Sequence, residues 1–293
     1  MFHDVRTGAS MKTIASVKPV VLPAPGRGDD LLVRITAPAG GRDLPVIVFS
    51  HGFGQSLDGY APLADHWAAN GFLVVQPTHL DSRTLALPPE DPRTPLIWRL
   101  RVDDVRHVLD ALDVVEEAAG TTIDRDKVAV AGHSWGAQTV GMLLGAGVMN
   151  DNSDMADDRV KAGVLLAAAG NGGLTPFAAE HFPFMNPDFT TMTTPALVVA
   201  GDNDQSALST RGPDWFTDAY FESPAPKALL TVFGGEHSLG GITGYNAAET
   251  TDESPERVAL IQRVTTAYLR FSLGLDHAAW PVPADGPGKI EFK

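Results

Sequence analysis

The ten residues Lys127–Gly136, KVAVAGHSWG, decide the fold. Their first half is a short apolar run typical of a strand buried on both faces, and a helical pattern begins at Ala137. Between them stands the only Gly-x-Ser-x-Gly of the chain, with Ser134 at its centre. A strand-to-helix turn of this kind forces its central residue into a strained backbone conformation, and the two glycines let the turn close. We therefore predict that Ser134 is a nucleophile held clear of the sheet.

Short apolar runs alternate with helical patterns on both sides of this segment. The predicted strands are Val17–Leu22, Leu31–Ala37, Val46–Ser50, Phe72–Gln76, Val128–Ala131, Val164–Ala168, Ala196–Ala200 and Ala228–Val232. The predicted helices are Tyr60–Asn70, Leu96–Ala119, Gln138–Leu144 and Pro255–Leu273. This alternation favours an α/β fold with a doubly wound, mostly parallel sheet of about eight strands, flanking helices and a small cap or none.

The length and composition suit one large core, because 44% of the 293 residues are hydrophobic. We predict a single domain over residues 17–293, preceded by a flexible segment, residues 1–16. Residues 170–194 interrupt the alternation and are rich in Phe and Met. They form either a packed surface excursion or a lid or pocket wall, since long connections in such folds often carry binding surfaces.

The charge balance is acidic, with 36 Asp and Glu against 22 Lys and Arg and a net charge of −14. Such a surface repels phosphate backbones, so we expect no nucleic-acid partner and a neutral or weakly charged substrate. The chain has no cysteine. Disulfides, cysteine-based zinc sites and a thiol nucleophile are thereby excluded.

Apolar stretches are short throughout the chain. None approaches the roughly 20 residues that a membrane-spanning helix needs, so we expect no membrane span. Met1–Val17 contains no uninterrupted apolar core of a signal peptide. These features predict a cytoplasmic protein, or a secreted one if a signal peptide has been removed. Monomer and homodimer both remain open.

The segment His51-Gly52-Phe53-Gly54 directly follows the predicted strand Val46–Ser50. Acyl transfer needs two backbone N–H groups aimed at the oxyanion that develops on the substrate. One is expected from Trp135, the residue after the nucleophile, and the other from Phe53 in this loop. The alternative is an ordinary strand-to-helix turn with two glycines.

The base that activates a serine hydroxyl is usually histidine. His237 lies in the glycine-rich loop Gly234–Gly241, after the last predicted strand, where the chain order Ser, Asp, His places the base. The acid that orients it is expected after the strand Ala196–Ala200. Asp202 and Asp204 compete there, and we favour Asp204 because three residues past Gly201 the loop has room to turn back toward the sheet. A solvated turn carboxylate is the alternative for either.

Apolar and aromatic residues near these loops are candidates for the substrate pocket. The set is Leu57, Tyr60, His79, Phe177, Phe184 and Leu239. The alternative is that several of them simply fill the core.

The order of four segments resembles the α/β-hydrolase superfamily. These segments are Val46–Gly54, Lys127–Gly136, Ala196–Asp204 and Gly234–Gly241, and the resemblance extends from Val17 to Leu273. The compact size and the aromatic residue after His51-Gly52 make the chain most similar to one branch. That branch contains chlorophyllases, platelet-activating-factor acetylhydrolase-like enzymes, dienelactone-hydrolase-like proteins and cutinase-like polyester hydrolases. The chain differs from dienelactone hydrolases, which use a cysteine nucleophile, and from secreted polyester hydrolases, which usually carry a signal peptide and a disulfide.

The resemblance implies a serine-dependent carboxylic-ester hydrolase that forms an acyl-enzyme intermediate and uses no metal or organic cofactor. The expected substrate is a neutral, apolar ester, either a small molecule or a polymer, of polyester or chlorophyll type. A thioesterase, amidase, acyltransferase or cofactor-free perhydrolase would use the same three residues. A non-catalytic binding protein on the same fold is the alternative from a different class.

Overall fold

A nine-stranded sheet forms the centre of the protein in the computed structural model, which describes residues 12–151, 153–245, 247–283 and 285–293. The strands are β1 Ile14–Leu22, β2 Leu31–Pro38, β3 Leu44–Ser50, β4 Leu73–Pro77, β5 Ile123–His133, β6 Gly147–Val148, β7 Val160–Leu166, β8 Pro187–Asp188, β9 Ala196–Gly201, β10 Lys227–Val232 and β11 Gly288–Phe292. The main sheet has the order β1-β2-β4-β3-β5-β7-β9-β10-β11, and β6 pairs with β8 in a separate ribbon.

The helices flank the main sheet. They are α1 Ala61–Ala69, α2 Ile97–Asp110, α3 Leu112–Ala119, α4 Trp135–Leu143, α5 Pro176–His181, α6 Asp218–Phe221 and α7 Pro255–Ser272. Short 3-10 helices lie at Pro25–Arg27, Thr94–Leu96, Pro183–Met185 and Pro213–Thr217.

The central strands are parallel and buried on both faces. Strands β4, β3, β5, β7, β9 and β10 run in one direction, while β1, β2 and β11 make antiparallel pairs at the two edges. Every residue of β3 and of β9 is buried, as expected for strands covered by helices on both sides. The predicted doubly wound, mostly parallel sheet is confirmed.

The strand order reverses next to β3. The chain passes from β3 to β4 on one side and then returns to place β5 on the other side. Crevices at the carboxyl ends of strands at such a reversal are where open α/β sheets bind ligands. The loops after β3 and β5, which carry Phe53 and Ser134, therefore lie side by side at this edge of the sheet.

Several elements differ from the sequence-based expectation, and strands β5 Ile123–His133 and β7 Val160–Leu166 begin earlier than predicted. The helix predicted over Leu96–Ala119 is wrong as one element, because it breaks at Ala111 into α2 and α3. The break lets α2 pack on β3, β4 and α4 while α3 packs on β1 and β2. Strand β1 begins at Ile14, inside the segment predicted to be flexible, whereas residues 1–11 of that segment lie outside the described residues. Strand β11 was not predicted, although the alternation of charged and apolar residues in its sequence GKIEF is typical of a half-buried strand.

Candidate active site

Ser134 stands at the turn between β5 and α4. Its backbone has φ 55° and ψ −121°, a conformation that residues with a side chain rarely adopt. A β-carbon on Gly132 would lie 2.3 Å from the carbonyl oxygen of Gly136, and one on Gly136 would lie 2.0 Å from the carbonyl oxygen of Ser50. The strained turn predicted from the sequence is thus present, and it closes only because both flanking residues are glycine.

The side chains of Ser134, His237 and Asp204 form a hydrogen-bonded row. The distance from Ser134 Oγ to His237 Nε2 is 2.9 Å. His237 Nδ1 lies 3.0 Å from Oδ2 and 3.2 Å from Oδ1 of Asp204. With its proton on Nδ1, the imidazole donates to the carboxylate and leaves Nε2 to accept the serine proton. This is the arrangement that general-base activation of a serine requires.

Burial differs sharply along this row. The His237 side chain is 43% exposed, whereas that of Asp204 is 0% exposed. Burial raises the pKa of Asp204, and the hydrogen bond and charge of His237 act in the opposite direction. The carboxylate therefore depends on His237 as its main partner.

The competing carboxylate, Asp202, has a different contact. It is exposed, and its Oδ1 accepts a hydrogen bond from the amide of Gly234 at 2.6 Å. Asp202 thus holds the start of the loop that carries His237, whereas Asp204 contacts the imidazole itself. The position of Asp204 agrees with the sequence-based preference.

Asp252 holds the same loop from the other side. Its Oδ2 accepts hydrogen bonds from the amides of Glu236 at 2.9 Å and Gly240 at 2.8 Å. The Asp252 side chain is only 3% exposed. Sequence reasoning missed this residue, because an acidic residue in a polar loop before a helix carries no distinguishing pattern.

In the loop after β3, the amide of Phe53 takes no part in the hydrogen bonds that the next two amides make. The amide of Gly54 donates to Asp81 Oδ2 at 3.0 Å, and that of Gln55 donates to the carbonyl of Gly52 at 3.2 Å. Trp135 is the first residue of α4, so its amide has no acceptor within the helix. Both amides predicted to stabilise an oxyanion are thereby left for another acceptor.

A second row of hydrogen bonds joins this loop to His237. The amide of Gly52 donates to the Tyr60 hydroxyl at 3.0 Å, and that hydroxyl donates to His133 Nδ1 at 2.9 Å. His133 Nε2 donates in turn to the carbonyl of His237 at 2.7 Å. Burial, together with the nearby His237, lowers the pKa of His133 to about 3. His133 is thus a neutral link between two loops of the site.

Aromatic rings extend away from the serine in a continuous series, which we call the aromatic wall. Its members are Phe53, Trp135, Phe184, Trp98, Phe182 and Phe177. The ring of Trp135 stacks on that of Phe184 with centroids 5.4 Å apart, and Phe53 lies 5.7 Å from Trp135 on the other side. Phe53 and Phe177 are 62% and 59% exposed, so both ends of the wall face solvent.

Residues 170–194 carry the outer part of this wall. The segment contains α5, a 3-10 helix and β8, and it buries Ala178, Phe189 and Met192. The side-chain amide of Gln138 on α4 donates to the carbonyl of Phe184. These contacts favour a packed pocket wall over a mobile lid.

Of the six residues predicted to line the substrate pocket, four are buried and two belong to the aromatic wall. Tyr60 and His79 are buried below the loop after β3, where His79 Nε2 bonds Ser50 Oγ at 2.9 Å, so their polar atoms serve the protein rather than a pocket. Leu57 and Leu239 are also buried, at 8% and 0% exposure. Phe177 and Phe184 belong to the aromatic wall.

No metal site or transmembrane helix is found in the part of the chain that the structure describes. No group of three or more His, Asp or Glu side chains there is placed to hold a metal ion. None of the described helices is long and apolar enough to cross a bilayer. A cavity of about 390 Å³ lies between the Pro25–Arg27 turn and α2, and it shares no lining residue with the Ser134 site.

Known proteins resemble this chain in sequence. The family model for chlorophyllases matches residues 7–155, a range that includes Phe53 and Ser134. Platelet-activating factor acetylhydrolase from Cavia porcellus is 23% identical over 283 residues, covering 80% of this chain. The match spans only 59% of the length of that acetylhydrolase.

An esterase from Pyrobaculum calidifontis resembles the chain in structure. The two superpose with a TM-score of 0.60 at 17% identity, covering 89% of this chain and 85% of the esterase. Together with the mostly parallel sheet, this likeness confirms the predicted α/β-hydrolase fold.

Proposed function

The chain belongs to the chlorophyllase family, and from this membership and the geometry around Ser134 we propose that it is a serine-dependent carboxylic-ester hydrolase. The observation that carries the proposal is the row of three side chains, with Ser134 Oγ 2.9 Å from His237 Nε2 and Asp204 on the far side of the imidazole. The names of the esterase and the acetylhydrolase that resemble the chain support the same reaction class.

The first half of the proposed reaction acylates the serine. His237 Nε2 takes the proton of Ser134 as Oγ attacks the ester carbonyl, and the carbonyl oxygen becomes an oxyanion. The amides of Phe53 and Trp135 hold this oxyanion, and Asp204 stabilises the imidazolium. His237 then gives its proton to the leaving alcohol as the carbon–oxygen bond breaks, which leaves an acyl-serine.

The second half returns the enzyme to its starting state. His237 takes a proton from water, which attacks the acyl-serine carbonyl and forms a second oxyanion in the same place. Collapse of this intermediate breaks the bond to Ser134 Oγ and transfers the proton back to the serine. The acid leaves, and the same three side chains are ready for another cycle without any cofactor taking part.

The aromatic wall supports a neutral, apolar ester as the substrate. It begins at Phe53 and Trp135, whose amides are the proposed oxyanion donors, so an apolar group attached to the reacting carbonyl meets aromatic surface at once. Concave sites lined by aromatic side chains with few polar groups suit ligands of this kind. The net charge of −14 disfavours polyanionic substrates.

Hydrolysis of p-nitrophenyl esters of graded acyl length tests this function, with chlorophyll and a polyester film as larger substrates. We expect turnover of the p-nitrophenyl esters by the wild type and none above the uncatalysed rate by Ser134→Ala. Ser16→Ala is the control, because Ser16 lies on the edge strand β1 and bonds Thr36 and Arg34. A wild type that hydrolyses no ester, or a Ser134→Ala variant with unchanged turnover, would contradict the proposal.

A further inference from the structure

Arg101 on α2 lies beneath the proposed oxyanion hole, and its side chain is 0% exposed. Its Nη2 donates to the carbonyl oxygen of His51 and, at 3.3 Å, to Ser50 Oγ. Its Nη1 donates to Asp81 Oδ1 at 2.6 Å. The planar guanidinium carries five N–H donors in a fixed arrangement, so one side chain can hold several acceptors in one geometry.

The first arm of the hole, the loop after β3, is held at two points. Arg101 bonds the carbonyl of His51 directly. It also bonds Asp81, whose other oxygen accepts from the amide of Gly54 at 3.0 Å. Since Gly52 and Phe53 are the only residues between these two points, Arg101 and Asp81 restrict the direction in which the Phe53 amide points.

The second arm, the start of α4, is held by the same guanidinium. Arg101 Nε donates to Thr139 Oγ1 at 3.1 Å, and the Thr139 hydroxyl donates to the carbonyl of Trp135 at 3.0 Å. The guanidinium carbon also lies 4.9 Å from the centre of the Trp135 ring, within the range of a cation–π contact. Trp135 is thereby held at both its backbone and its ring.

We propose that Arg101 is a positioning residue that fixes the Phe53 and Trp135 amides relative to each other, an inference that rests on the proposed ester-hydrolase function. An oxyanion hole works because its donors are already aimed where the oxyanion forms, at about 2.7–3.1 Å. The two amides come from separate segments, and Arg101 bonds His51 in the first segment and Thr139 in the second. Because Asp81 neutralises its charge, Arg101 acts through geometry rather than by adding positive charge to the site.

The double variant Arg101→Met/Asp81→Asn tests this role without leaving an unpaired buried charge. We expect kcat on a p-nitrophenyl ester to fall about 100-fold or more, with KM changed by less than about threefold. A trifluoromethyl ketone forms a hemiketal with an activated serine, and its oxyanion occupies the hole. We expect its inhibition constant to rise in parallel with the loss of kcat/KM, which a loss of stability alone would not produce.

The matched control is Arg34→Met/Asp65→Asn. Arg34 and Asp65 form a partly buried ion pair between β2 and α1, with Nη2 3.1 Å from Oδ1, and this pair lies outside the hydrogen bonds that Arg101 makes. We expect this control to lose thermal stability and to keep kcat and the inhibition constant within about threefold of the wild type. If the Arg101/Asp81 variant behaves like this control while folded, the inference is wrong.

A second variant, Arg101→Lys, applies if the double variant does not fold. Lysine keeps the charge beside Asp81 but cannot hold His51, Asp81 and Thr139 at once. We expect a fall in kcat of about tenfold or more with a parallel rise in the inhibition constant. If kcat and the inhibition constant of Arg101→Lys equal those of the wild type, the role of Arg101 is wrong. The proposed function is not affected by that result, because ester hydrolysis by the wild type tests it separately. If the wild type hydrolyses no ester, both the proposed function and the role of Arg101 are wrong.

Discussion

Asp204 places both of its carboxylate oxygens within 3.2 Å of His237 Nδ1, while its neighbour Asp202 bonds the amide of Gly234 instead. The two aspartates are separated by one residue, yet one contacts the imidazole and the other contacts only the backbone of the loop. Because Asp204 is fully buried, its carboxylate is shielded from solvent and has the imidazole as its side-chain partner.

The first prediction concerns these two carboxylates. We expect Asp204→Asn to lower kcat by about 10⁴, as loss of the orienting carboxylate does in serine–histidine–aspartate sites, because the imidazole takes the wrong tautomer. Asp202→Asn is the matched control and should change kcat by less than about threefold, because the amide oxygen of asparagine can still accept the N–H of Gly234. Steady-state kinetics on one ester decides, and a larger loss in Asp202→Asn than in Asp204→Asn would contradict the assignment.

The second prediction concerns the turn at Ser134. We expect Gly136→Ala to lower the free energy of unfolding by about 3 kcal/mol or more, because the added carbon would collide with the Ser50 carbonyl. Gly26→Ala is the control, since a β-carbon there meets no atom within 4 Å and should change stability by less than about 1 kcal/mol. Urea denaturation measures both. Equal stability of the two variants would show that the turn is not as tight as described.

The third prediction concerns pH and His133. Burial lowers the pKa of His133 to about 3 in the folded protein, whereas an unfolded chain binds the proton near pH 6.5. Between these values the unfolded state carries more protons, so stability falls as the pH falls from about 6.5 toward 3. We expect His133→Gln, which cannot titrate, to reduce this slope by up to about 1.4 kcal/mol per pH unit.

Urea denaturation at several pH values from 7 to 4 measures this slope. The control is His181→Gln, because the His181 side chain is exposed and lies outside the hydrogen bonds that His133 makes. We expect the control to keep the wild-type slope. The explanation fails if His133→Gln and the wild type lose stability in parallel.

The fourth prediction concerns the outer end of the aromatic wall. Phe177→Ala removes an exposed ring that packs against Phe182, so it should leave folding intact. We expect KM for long-chain p-nitrophenyl esters to rise up to about tenfold, because an aromatic contact contributes about 0.5–1.5 kcal/mol, and KM for the acetate to stay unchanged. Phe292→Ala is the matched control on the edge strand β11, where the ring is 63% exposed. An equal effect on short and long esters would contradict a role for the wall in binding.

The serine turn could be predicted from the sequence because its requirements are local. A buried strand, two glycines around Ser134 and a helix follow one another within ten residues. Asp204 and His237 could be predicted because each follows a predicted strand, in the chain order Ser, Asp, His. These parts of the site needed no knowledge of distant contacts.

Arg101 and Asp252 could not be found in this way. Arg101 is one of several arginines in a helical pattern, and only the fold shows that it is buried beneath two loops. Asp252 lies in a polar loop, and its role depends on the path of residues 234–241. The break at Ala111 has the same origin, since it reflects which strands α2 and α3 pack against rather than a local breaker residue.

Labelling with a fluorophosphonate probe, followed by peptide mass spectrometry, tests whether Ser134 is an activated nucleophile. The probe bonds covalently to a serine whose proton is taken by a neighbouring base. We expect one adduct on the peptide containing Ser134 in the wild type and none in Ser134→Ala. A folded wild type without an adduct, or a Ser134→Ala variant labelled as strongly as the wild type, would contradict this expectation.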